Sequence, residues 1–111
     1  MARVALLCPD LLFGSKVEGA LAAAGHEVSR YDREDAARGA AASADVLVVD
    51  LTADSYDGTE LGGVEGAATL GFYSHVDVET KARAEGAGFD LVVPRSRMAR
   101  ETAALVERLA A

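Results

Sequence analysis

Asp45-Val46-Leu47-Val48-Val49-Asp50 is the stretch that decides the fold. Four apolar residues stand in a row between two acids, too short a run for a helix and with no polar residue alternating among them. That pattern marks a strand buried on both faces, as strands of a parallel sheet are. Upstream, Asp32 is placed to cap a short Ala-rich helix over Arg33 to Ala42, and His26 to Tyr31 reads as a weaker strand. Before it, Leu12 to Ala24 predicts a helix stopped at Gly25, and Val4-Ala5-Leu6-Leu7 a first buried strand. Downstream, Leu51 to Gly66 mixes Asp, Ser, Thr and Gly without apolar periodicity, so a third helix there is short or irregular. Thr69 to Tyr73 predicts a strand, Val78 to Gly86 a helix capped by Asp77, and Leu91-Val92-Val93 a last strand. A final helix from Ser96 keeps an apolar stripe through Met98, Thr102, Leu105, Val106 and Leu109.

Strands and helices alternate without a linker or an internal repeat, so residues 1–111 are expected to form one domain. Strict alternation implies parallel strands joined by right-handed crossovers, with helices on both faces of the sheet. Five such units make a flavodoxin-like, doubly wound domain, in which chemistry gathers beyond the carboxyl ends of the strands. The residues at those ends are Cys8, Pro9 and Asp10; Asp50 and Leu51; Tyr73, Ser74 and His75; and Pro94, Arg95 and Ser96.

Composition narrows the function classes. Half of the residues are apolar and 26% are charged, the balance of a globular chain rather than a disordered one. The apolar runs fall far below the roughly 20 residues a membrane helix needs, and the amino terminus lacks a signal peptide, which predicts a cytoplasmic protein without a membrane partner. A formal net charge of −7 argues against nucleic acid. One cysteine and two histidines make neither a disulfide nor a zinc site.

Three stretches then carry a resemblance. Arg3 to Leu7 with the helix ending Ala24-Gly25-His26-Glu27-Val28, the strand Asp45 to Leu51, and the turn Ala87-Gly88-Phe89-Asp90-Leu91-Val92-Val93 resemble the CheY-like receiver domains of two-component signalling and phosphorelays, nearly end to end. The resemblance implies a five-stranded parallel sheet in order 2-1-3-4-5 and puts Asp50 in the phosphoacceptor position, in a pocket with Cys8, Pro9, Asp10, Tyr73, Ser74 and Arg95.

The departures from that family matter more. Receivers end the first strand in two acids that hold Mg²⁺ together with the phosphoacceptor, and here those positions are Cys8 and Pro9. Proline offers no side-chain ligand and a thiolate matches a hard cation poorly, so only Asp10 and Asp50 remain as metal ligands. Weak Mg²⁺ binding at most, and no other cofactor, is the expectation. The family's lysine beyond the last strand is replaced by Arg95 and the following proline by Ser96, while the switch hydroxyl is Tyr73 or Ser74. Arg95 either pairs with Asp50 in place of the missing metal or is an exposed charge, and Asp10 is expected to cap the helix that begins near Leu12.

These residues predict a stand-alone, atypical receiver-like module for signalling or protein interaction. It is not an enzyme and is not phosphorylated by the usual Mg²⁺-dependent route. The alternative is a small phosphoryl-transfer or thiol enzyme with Cys8 as nucleophile, although Pro9 to Phe13 lacks the amide-rich loop such sites use, and Gly14-Ser15-Lys16 lacks the earlier glycine of a phosphate loop. The expected partner is a signalling protein, with the Phe13 region and the last helix as contact surfaces. The resemblance further implies a homodimer through the helix at Val78, the last strand and the last helix, where Arg83, Arg97, Arg100 and Arg108 meet Glu79, Glu85, Glu101 and Glu107.

Overall fold

In the computed structural model, which describes residues 1–111, β3 (Val46–Asp50) is the middle strand of a five-stranded sheet and all five of its residues are buried. The other strands are β1 (Arg3–Leu7), β2 (Glu27–Tyr31), β4 (Ala68–Tyr73) and β5 (Leu91–Pro94). Their order is 2-1-3-4-5 and every neighbouring pair is parallel, as the sequence predicts. Between them run α1 (Leu11–Ala23), α2 (Glu34–Ala41), a single 3-10 turn (Gly58–Leu61) and α3 (Val78–Ala87), followed after β5 by α4 (Arg95–Arg100) and α5 (Thr102–Ala110).

Strand periodicity sorts the apolar residues onto two faces. Val4, Leu6 and Cys8 join Val46, Val48, Leu70 and Phe72 under Val17 and Leu21 of α1, Met98 of α4 and Leu105 and Val106 of α5. Ala5, Leu7, Leu47, Val49 and Tyr73 pack on the other face against Ala37 and Ala41 of α2, Leu61 of the 3-10 turn and Ala84 of α3. Asp50 lies two residues beyond Val48 and so extends the first face, beside Cys8 and in register with Phe72. The carboxyl ends of β1, β3 and β4 therefore bring together the residues on which the site is built.

Local chemistry explains most of the element ends. Asp10 caps α1 by accepting from the Phe13 amide at 3.0 Å, and Asp77 caps α3 by accepting from the Thr80 amide at 3.1 Å. Gly88 ends α3 at a φ of +106°, a conformation that a residue with a Cβ adopts only under strain. Two expectations are corrected. Asp32 does not cap α2: the cap position is Arg33, without a side-chain bond, and Glu34 and Asp35 in the first turn supply the negative charge that favours a helix start. The final helix is also not continuous. It breaks at Glu101 (φ −121°, ψ 28°), where the buried Thr102 hydroxyl bonds back to the Met98 carbonyl at 2.6 Å, a bond that bends helices.

Candidate functional site

Asp50 is 2% exposed, and its carboxylate is already occupied. Oδ1 accepts from the Thr52 amide at 2.8 Å and from the Thr52 hydroxyl at 2.6 Å, while the Cys8 thiol donates to Oδ2 at 3.6 Å. The backbone carbonyl of Asp50 accepts from the Tyr56 hydroxyl at 2.9 Å, so Tyr56 straps the following loop over the end of β3. Burial, and then the charge of Asp50, pushes the Tyr56 phenol well above its ordinary range and keeps it a donor. Tyr56→Phe should lower stability by about 1 kcal/mol, because it leaves a buried carbonyl without its donor. Urea denaturation checks this, with the midpoint falling and the slope unchanged.

Arg95 is not on Asp50. Its guanidinium donates to Asp10 Oδ2 at 2.8 Å and lies 4.2 Å above the Phe13 ring centroid, which corrects the pairing with Asp50 considered from the sequence. The physical reason is that Asp10 is half-exposed at the rim, level with Arg95, whereas reaching Asp50 would take the arginine into a buried position. Phe13 in turn tilts against Phe72, ring centroids 5.0 Å apart, so the ion pair rests on a two-ring stack that reaches the core. The Phe13 amide first, and the Arg95 contact second, hold the Asp10 carboxyl below the usual carboxylate range. Its favourable contribution is therefore present above the unfolded value near 3.8 and lost as pH falls through the lower folded one.

Cys8 is 2% exposed, and desolvation together with the Asp50 charge pushes its thiol up to about 12. At neutral pH it is a protonated donor, the opposite of an activated nucleophile. Pro9 follows it without a side-chain polar atom, and the tyrosine and serine at the end of β4 divide. Tyr73 is buried in the second face of the core, whereas Ser74 lines two open clefts. The first cleft lies among Phe13, Thr52, Ser74, His75, Arg95 and Ser96, and the second runs from Thr52 and Ser74 to Asp54, Asp77 and Arg83.

No protein-family model matches the sequence, and no curated protein matches it significantly. Solved structures do match. The receiver domain of Francisella response regulator 1452 has a TM-score of 0.83 at 15% identity, covering 99% of this chain and 97% of its own. The response regulator receiver domain protein from Clostridium thermocellum gives 0.84 at 14% identity over 99% and 94%. Full-length FixJ from B. japonicum gives 0.81 at 19% identity, with 97% of this chain covered and 57% of that longer one. The chain has the receiver fold. It carries that fold with its own set of pocket residues, and three of them bring side chains to Asp50 or its carbonyl: Cys8, Thr52 and Tyr56.

Mg²⁺, which the receiver fold implies, does not fit these residues. Asp10 is turned to Arg95 and the Phe13 amide, Asp50 is bonded on both oxygens, and no three His, Cys, Asp or Glu side chains are grouped as metal ligands. Every buried side-chain polar atom already has a partner, so none is left waiting for a cation. Of the eight charges assigned to a dimer face, five are engaged within the chain: Arg83 with Asp57, Arg97 and Arg100 with Glu101, and Glu107 with His26. Thr52 and Tyr56 were not picked out from the sequence. The signal for Thr52 is an Asp-x-Thr unit that recurs at Asp57-Gly58-Thr59, where the same hydroxyl-to-carboxylate bond forms at 2.6 Å. Tyr56 has no such local signal.

Proposed function

We propose that this protein is an atypical receiver-like module that acts by binding other proteins, and that Asp50 is a structural residue rather than a phosphoacceptor. The observation that supports the reading is the state of the Asp50 carboxylate: buried, accepting two bonds from Thr52 and one from Cys8, with the neighbouring acid Asp10 held by Arg95. Phosphoryl transfer to a carboxylate relies on positioning the donor and neutralising its oxygens. In this pocket the acceptor oxygen would have to leave its hydrogen bonds, and the arginine nearest the site, Arg95, is already neutralised by Asp10. Asp50 instead fixes the loop after β3, drawing Thr52 in while its carbonyl holds Tyr56. A buried carboxylate bonded on both oxygens gives a rigid strand end, which suits a surface that presents a constant shape to a partner.

The thiol-enzyme alternative is not favoured, because Cys8 is enclosed and protonated and its neighbour Asp50 raises its pKa rather than lowering it. The test of the main reading is a titration with MgCl₂ followed by amide chemical shifts. We expect no saturable change at Thr52, Ser74 or Asp10 up to tens of millimolar, the range in which an empty acidic pocket would fill. Saturation below about 5 mM, abolished by Asp50→Asn, would return the site to metal-assisted chemistry.

A further inference from the structure

The amino end of the sheet holds a histidine with both ring nitrogens in use. His26 stands in the turn between α1 and β2 with its side chain only 7% exposed, and its Nδ1 accepts from the Ala2 amide at 3.0 Å. Its Nε2 lies 2.9 Å from Glu107 Oε2 on α5. A backbone amide can only donate, so Nδ1 presents a lone pair and the proton of the neutral ring is on Nε2, facing the carboxylate. The ring thus joins three places distant in sequence: the start of β1, the turn before β2 and the last helix. None of this serves the Asp50 site, which lies at the carboxyl ends of the same parallel strands.

The two contacts respond in opposite ways to a proton. Uptake of a proton from solvent at Nδ1 uses the lone pair that holds the Ala2 hydrogen and sets two N–H groups against each other. Ala2 is 4% exposed, so its amide loses its acceptor where little water can replace it. On the other side of the ring, the same proton turns the bond to Glu107 into a charge-assisted one. The remaining charges nearby bond to neither ring nitrogen. Asp45, just before β3, lines the same cavity of about 330 Å³ as His26 and Glu107, and its Oδ2 already accepts from the Arg3 amide at 2.7 Å. Met1 and Ala111 line that cavity too, with the terminal amino and carboxyl groups. The end of α1, Ala22-Ala23-Ala24, brings no charge, and Arg3 and Glu27, in register on β1 and β2, are both exposed. We propose that His26 is a proton-operated latch: the neutral ring fastens the start of β1 to the last helix, and the protonated ring lets go of Ala2 and grips Glu107 alone.

The test is a titration of the whole protein from about pH 8 to about pH 5, the range in which imidazoles in general change charge. Nitrogen NMR shifts of the ring report which atom holds the proton. Amide hydrogen exchange, expressed as protection so that its intrinsic pH dependence drops out, reports the latch. We expect the neutral ring to carry its proton on Nε2. As the ring takes up its second proton, the Glu27 and Asp45 amides, which donate to the Ala2 and Arg3 carbonyls, should lose about tenfold in protection with the same midpoint, the scale of one hydrogen bond's net contribution. The Leu51 amide, which donates to the Phe72 carbonyl at the carboxyl end, should keep its protection. His26→Asn places an uncharged acceptor near the position of Nδ1 and should abolish the step. A neutral ring protonated on Nδ1, unchanged protection at Glu27 and Asp45 across the ring's titration, or a step that persists in His26→Asn would overturn the proposal. So would an equal loss at Leu51, which would mean general unfolding rather than release of a latch. Should His26→Asn fail to fold, the ring and amide readings on the wild type decide the matter by themselves.

Discussion

Native Cys8 should react with iodoacetamide about a thousandfold more slowly than the same thiol in the unfolded chain. Thiolate is the reacting species, and a shift from the ordinary 9.0 up to about 12 lowers its fraction at pH 8 by about three orders of magnitude. Enclosure of the sulfur adds to the protection. The rate should keep rising about tenfold per pH unit through pH 10, without the plateau that a low-pKa thiol shows. The linked effect on stability has a definite sign. The folded state holds the thiol proton more tightly than the unfolded state, so the contribution is complete below about pH 9 and lost as pH rises toward about 12. Mass-resolved alkylation in native buffer and in urea measures the ratio. A native rate within tenfold of the unfolded one, or a plateau below pH 7, would show an activated thiolate and revive the enzyme alternative.

Phe72→Ala should cost about 3–5 kcal/mol, the usual range for truncating a buried aromatic ring. Its side chain is fully buried and stands opposite Asp50 in the β3–β4 register. The loss would also reach the surface, because Phe13 leans on Phe72 and Arg95 lies over Phe13. Urea denaturation of the variant beside Val78→Ser, a control on an exposed residue, separates the core effect from a general one. The Phe72 variant should lose much of the 5–15 kcal/mol typical of a folded domain, and the control should change by less than about 0.5 kcal/mol. A cost below about 1 kcal/mol for Phe72→Ala would mean that the two-ring stack does not carry the ion pair as described.

What could be read from the sequence was what is local. The Val46 to Val49 run defines a doubly buried strand by itself, and Asp10 and Asp77 announce their caps three residues ahead of the amides they accept from. Sheet order came from the resemblance to receivers, and the structure has the same order. What could not be read depends on residues far apart in the chain. The partner of Arg95 is 85 positions away, and the choice between Asp10 and Asp50 turns on burial and on the Phe13 ring, neither of which a linear pattern displays. Asp32 looked like a cap because it precedes an Ala-rich run, but the helix starts two residues later, at a pair of acids. The break at Glu101 was hidden because the apolar stripe runs through it without losing phase; the cause is the Thr102 hydroxyl, a polar group counted as part of that stripe.

The central claim is that the Asp50 carboxylate is a structural group and does not accept phosphate by the metal-assisted route. Intact-mass analysis after incubation with acetyl phosphate and saturating Mg²⁺, with wild type and Asp50→Asn side by side, tests it most directly. The account predicts no adduct on either protein within the minutes to an hour in which a competent acceptor is labelled. Stoichiometric gain of one phosphoryl group by the wild type and none by Asp50→Asn would contradict it.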